Sequence, residues 1–140
     1  MIIELRNKIK DDLISGFKEA GIRPYITVTS FPDSPEALES IGKEAQAKPD
    51  GAIYIAWSAE EPGPKSGGIY GKLIDLFTIF IFSKSQEGDD EIIQHYELAR
   101  NILNKSFYLY RGEMSPVKTA KTGLYIAYLQ VGIQNIYQGH

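Results

Sequence analysis

Ile2, Leu5, Ile9, Leu13 and Phe17 recur at helical spacing, with Lys, Asp and Glu between them. The spacing predicts an amphipathic helix over about Ile2–Ala20. Gly21 stands where a C-terminal cap belongs, and Pro24 prevents the helix from resuming. The run Tyr25-Ile-Thr-Val-Thr-Ser is rich in β-branched residues and predicts a strand, which Phe31-Pro-Asp-Ser-Pro breaks. Ser34 then reads as an N-cap with Pro35 at the first helical position. The short helix they open, about Pro35–Ala45, has Leu38 and Ile41 to bury. Lys48-Pro-Asp-Gly is a turn, and Ala52-Ile-Tyr-Ile-Ala-Trp follows as a second strand.

Ala59-Glu-Glu-Pro-Gly-Pro-Lys-Ser-Gly-Gly reads as a loop or an extended arm, since proline and glycine oppose regular pairing there. Lys72–Phe82 is mostly apolar at both odd and even positions, which predicts a central strand covered on both faces. Ser83–Gly88 is a loop. Asp89 or Asp90 caps a helix whose inward face is Ile92, Tyr96, Ala99 and Leu103. Phe107-Tyr-Leu-Tyr starts another strand, and Gly112–Gly123 reads as irregular. Leu124–Tyr137 is the last strand: Tyr125, Ala127, Leu129, Val131 and Ile133 face one way, and Leu124, Ile126 and Tyr128 the other.

This order lacks the strict strand–helix alternation of a doubly wound nucleotide fold. It predicts one α+β domain spanning residues 1–140. The expected sheet is mostly antiparallel, of about five strands, with two main helices packed on one face.

Composition narrows the function. A chain of 140 residues, 43% hydrophobic, buries a core without staples. With no cysteine there is no disulfide framework and no thiolate chemistry. The net charge of −3 and the scattered Lys and Arg argue against a nucleic-acid partner. The start, Met1-Ile-Ile-Glu-Leu-Arg, is unlike a signal or transit peptide. The longest apolar stretch, Leu76–Phe82, is too short to span a bilayer.

The candidate chemistry is thin. His95 follows Glu91 by one helical turn and is expected beside the apolar stripe, on the solvent side; His140 is terminal. No Gly-x-Ser-x-Gly elbow occurs. Pro64-Lys65-Ser66-Gly67-Gly68 has the residues of a phosphate loop in the wrong order, with a strand after it instead of a helix. Asp75 interrupts an apolar strand, so it is expected at an edge or paired with a base such as Lys72 or an arginine, within or between subunits. A catalytic acid would want a second carboxylate, and no obvious mate is visible. The expectation is therefore no enzyme, no cofactor and no metal.

Aromatic residues point to contact surfaces. Nine Tyr, six Phe and one Trp are present, with Tyr108, Tyr110, Tyr125, Tyr128 and Tyr137 towards the C-terminus. Sheet packing takes many of them, and protein interfaces favour the rest. The interface candidates are Trp57, Pro62, Pro64, Lys65, Ile69, Tyr70, Asp75, Tyr108 and Tyr110, which combine the arm, the strand acid and the exposed aromatics.

An opening helix is followed by Arg23-Pro-Tyr-Ile-Thr-Val-Thr-Ser-Phe-Pro and then by Gly51-Ala-Ile-Tyr-Ile-Ala-Trp-Ser-Ala-Glu-Glu-Pro. A long apolar strand leads into the helix Asp89–Asn104, and Tyr125-Ile-Ala-Tyr-Leu-Gln-Val-Gly-Ile-Gln closes the chain. In element order and local texture, over nearly its whole length, the chain resembles the small tail terminator (tail completion) proteins of Mu-like phages and prophages. The resemblance implies a subunit of a homo-oligomeric ring, typically a hexamer, that stops growth of the tail tube and offers a surface for head attachment. It implies tail tube and sheath proteins and a head completion protein as partners. It also implies assembly in the bacterial cytoplasm into the virion tail, with no membrane and no sequence-specific nucleic acid. The alternatives are a head–tail connector or other tail completion protein, and a cytoplasmic ligand-binding α+β domain, which would need a pocket lined by aromatics.

Overall fold

A computed structural model describes residues 2–62, 72–84, 88–118 and 124–136, with the backbone alone described at 62, 72–73, 108–118 and 134–136. The elements run α1 (Ile2–Glu19), β1 (Tyr25–Val28), α2 (Pro35–Gln46), β2 (Ala52–Pro62), β3 (Lys72–Ser83), α3 (Asp90–Asn104), β4 (Tyr108–Lys118) and β5 (Tyr125–Ile136).

The five strands form one sheet in the order β1-β2-β3-β5-β4. Its β2–β3, β3–β5 and β5–β4 pairs are antiparallel. The β1–β2 pair is parallel, with Tyr25 opposite Ala52 and Val28 opposite Ile55. A parallel pair needs a crossover, which α2 supplies.

The helices divide between the two faces. Ile9, Leu13 and Phe17 of α1 join Ile92, Tyr96, Ala99 and Leu103 of α3 over Ile53, Ile55, Phe77, Ile79, Ile81, Ala127, Leu129 and Val131. Ala45, Leu38 and Ile41 of α2 cover Ala52, Tyr54, Ala56, Phe80, Phe82, Leu124 and Ile126 on the opposite face. Two main helices on one face is the expected arrangement, and the short helix makes a third layer behind the sheet. β3 is central and buried on both faces, as its mostly apolar run requires. Each large aliphatic or aromatic side chain fully buried in these layers contributes about 1.5–3 kcal/mol.

Local signals set most boundaries. Ser34 Oγ accepts from Ala37 N at 3.1 Å, with Pro35 opening α2. α1 ends as Gly21 adopts φ 78°, which lets Gly21 N donate to Lys18 O and Ile22 N to Phe17 O, each at 3.0 Å. Asp89 occupies the N-cap position of α3, but its side chain makes no capping hydrogen bond.

Two strands outrun their sequence signals. β2 continues past Trp57 to Pro62, through a bulge at which Ser58 is the extra residue: Trp57 pairs with Phe77, and Ala59 with Leu76. Ser58 Oγ and Thr78 Oγ1 share a hydrogen bond of 2.5 Å there. The long β3 edge supplies a ladder for Ala59-Glu-Glu-Pro, so pairing overrides low strand propensity. β4 likewise extends through Gly112 to Lys118, with register shifts at Leu109/Arg111 and Glu113/Val117.

Candidate functional site

β1 ends opposite Ile55, where Thr29 N donates to Ile55 O at 2.9 Å. Beyond that point β2 loses its outer neighbour among the described residues and runs on past the end of β1, while β3 stays paired with β5 on its other side. Ala56 is the first residue past β1 and is buried, and Trp57 is the first exposed one. Its partner Phe77 is fully buried, but Trp57 itself remains 37% exposed because no β1 residue flanks it. Glu60 and Glu61 follow, both exposed. Trp57 is thus an exposed aromatic on an edge strand whose outer backbone groups meet no further strand among the described residues.

Asp75 is on β3 within the β2–β3 hairpin and is 1% exposed. The residues directly opposite it are Glu60 on β2 and Ile133 on β5. Asp75 is thus interior, which corrects the expected edge placement, and the residue across from it on β2 is a second acid. The Glu60 carboxyl is pushed up from its ordinary value by desolvation, then by a hydrogen bond from its protonated form to Asp75, then by the Asp75 charge. Glu60 is the mate that sequence inspection missed. Its only signal was that a strand continued through Glu60-Glu61 would bring an acid beside Asp75, and the apparent loop at Ala59 hid that.

The other candidates divide by position. Pro62 closes β2 opposite Leu73. Pro64, Lys65, Ile69 and Tyr70 lie outside the described residues. Tyr108 begins β4 opposite Gly132, and Tyr110 is the extra residue at the Leu109/Arg111 shift. Trp57, Pro62 and Asp75 thus belong to one hairpin, whereas Tyr108 and Tyr110 are on β4 at the far side of β5.

His95 is 3% exposed, which corrects its expected place on the solvent side. Its ring meets Phe17 edge-on at 5.7 Å, and its Nδ1 has no hydrogen-bond partner among the described residues. Burial pushes its pKa down, and the Glu91 and Asp50 carboxylates oppose that shift. Gly51 fits against it: a Cβ at Gly51 would stand 3.4 Å from the imidazole and 2.8 Å from Phe82 O. A buried neutral histidine between a phenyl edge and backbone packs as a core residue.

Sequence inspection also missed a surface groove between α1 and the edge strand β1. Its volume is about 390 Å³, and its lining includes Ile14, Phe17, Ile22, Pro24, Tyr25 and Ile26. Lys18 and Arg23 also line it, and no carboxylate is among its described lining residues. Lys48 Nζ stands 4.0 Å from the centroid of the Tyr25 ring, which also meets Tyr54 of the α2-side cluster. Ile14 and Tyr25 are 41% and 39% exposed. Ile14 lies off the Ile9–Leu13–Phe17 stripe, which was the available signal. On the α2 face, Phe31 is 44% exposed and rests on Phe80 at 5.9 Å.

Among the described residues, no group of three or more His, Asp or Glu could hold a metal ion. None of the described helices is long and apolar enough to cross a membrane. No protein-family model matches the chain, and no curated protein matches it.

Proposed function

We propose that this chain is a structural assembly protein of a phage or prophage tail. It acts as a ring subunit that caps the tail tube and presents a surface to the head, as tail terminators do. The observation that carries this reading is the run of β2 past the end of β1, with Trp57 exposed on a bare strand edge. A ring of identical subunits needs two unlike patches on each copy, and an open strand edge is one such patch. The exposed Ile14, Tyr25 and Phe31 add apolar contact area elsewhere. The element order that resembles the terminators supports the same reading.

Such a protein works by geometry. Each subunit contributes a rigid sheet, the ring closes over the last tube ring, and the opposite surface meets the head. The partners are further copies of the chain, the tail tube and sheath, and a head completion protein. No reacting group is needed, and the Glu60–Asp75 pair serves to shape the hairpin.

Light scattering over a wide concentration range tests the assembly. A particle of about six subunits that dissociates on dilution is expected of a cyclic ring. A strict monomer at every concentration, with tail tube ends present as well as absent, would contradict it.

A further inference from the structure

We infer that the acidic, tryptophan-bearing end of β2 in one copy docks into the basic-lined groove between α1 and β1 of the next copy. This rests on the ring reading and names the contact that builds the ring.

The two surfaces are complementary in charge and kind. The groove offers an apolar floor with Lys18 and Arg23 in its lining, and no carboxylate is among the described residues that line it. The β2 end offers Glu60 and Glu61, both exposed, beside a part-exposed Trp57. Unlike charges at the rim of an apolar contact set its register and suppress wrong pairings.

The two surfaces also have the right separation. Ile26, in the groove, pairs with Ile53. Glu60 is about seven residues further along the same strand, roughly 23 Å away. Trp57 and Ile53 lie on the α1/α3 side of the sheet, as their partners Phe77 and Ile81 show. One copy therefore carries the β2 end and the recess on the same face and edge, at opposite ends. That is a head-to-tail arrangement, which closes into a ring when the rotation per copy allows. The outer backbone edge of β1 is also open in the sheet order, so an incoming extended strand finds hydrogen-bonding groups beside the groove.

The absence of cysteine makes the test clean. Chains carrying Arg23→Cys are mixed with differently tagged chains carrying Glu60→Cys, which stands opposite Asp75 on the Trp57 face, under mild oxidation. The mixed disulfide is expected to exceed either self-pair by at least about tenfold, as one preferred contact implies. In parallel, Lys18→Glu with Arg23→Glu should weaken self-association at least about tenfold, and chains with Glu60→Lys and Glu61→Lys should restore it on mixing. Rings that form without the mixed disulfide overturn this contact and leave the ring reading standing. A mixed disulfide confined to closed two-copy particles upholds the contact and overturns the ring. A groove that binds an added acidic aromatic peptide but no β2 end overturns the inference in favour of a foreign partner.

Discussion

Glu60 and Asp75 stand directly opposite each other across the β2–β3 hairpin, one exposed and the other buried. Two acids at one cross-strand position repel when both are ionised. Glu60 answers by holding its proton more tightly, through desolvation first and then through the hydrogen bond and charge of Asp75. A carboxyl raised in the folded state stabilises the fold below its ordinary value of 4.5, and that contribution is lost as pH rises through the raised value. Glu60→Gln should therefore melt at a higher temperature than the parent near about pH 7, with the difference vanishing below about pH 4. Thermal melts at the two pH values check this.

His95 gives the opposite slope. Its pKa is lowered by burial, so its contribution is full above the ordinary value of 6.5 and is lost as pH falls through the lowered value. Stability measured by urea unfolding should decline below about pH 6.5. His95→Leu should flatten that decline, whatever it does to the absolute stability. An unchanged acid slope in the variant would assign the loss to other groups.

Gly51 carries a backbone requirement. Its φ of 86° and the 2.8 Å approach of a Cβ to Phe82 O leave no room for a side chain. Gly51→Ala should cost about 1–3 kcal/mol in chemical denaturation. The same substitution should disturb His95, whose ring is 3.4 Å from that Cβ, and shift the histidine resonances in NMR spectra.

Adjacent residues of α1 separate folding from assembly. Leu13 is fully buried and Ile14 is 41% exposed in the groove. Leu13→Ala should cost about 2–5 kcal/mol of stability. Ile14→Ser should change stability by less than about 1 kcal/mol and still weaken self-association. Denaturation midpoints and sedimentation of the two variants give the comparison.

Much of the fold was legible in the sequence because period and face coincide. The α1 stripe and the alternation of β5 place each side chain against the correct layer: Ala127, Leu129 and Val131 towards α1 and α3, Leu124 and Ile126 towards α2. The mostly apolar run of β3 announced a central strand. What stayed hidden depended on partners distant in sequence. Ala59-Glu-Glu-Pro pairs because β3 is there to receive it, and Gly112–Lys118 pairs because β5 is. His95 completes the spacing Ile92, His95, Tyr96, Ala99, so the helical pattern did mark it as interior. Expecting a polar ring at the surface obscured that. The β2 extension reads in sequence as a loop or arm from Ala59, and its pairing with β3 through Pro62 shows it as strand instead. The groove was not legible, because it joins α1 to an edge strand whose position only the sheet order fixes.

Electron microscopy of tails assembled in cells that encode this chain, with and without its gene, tests the proposed function most directly. Tubes of uniform length joined to heads are expected when the chain is present, and overlong, headless tubes when it is removed. Tubes of normal length joined to heads in its absence would contradict it.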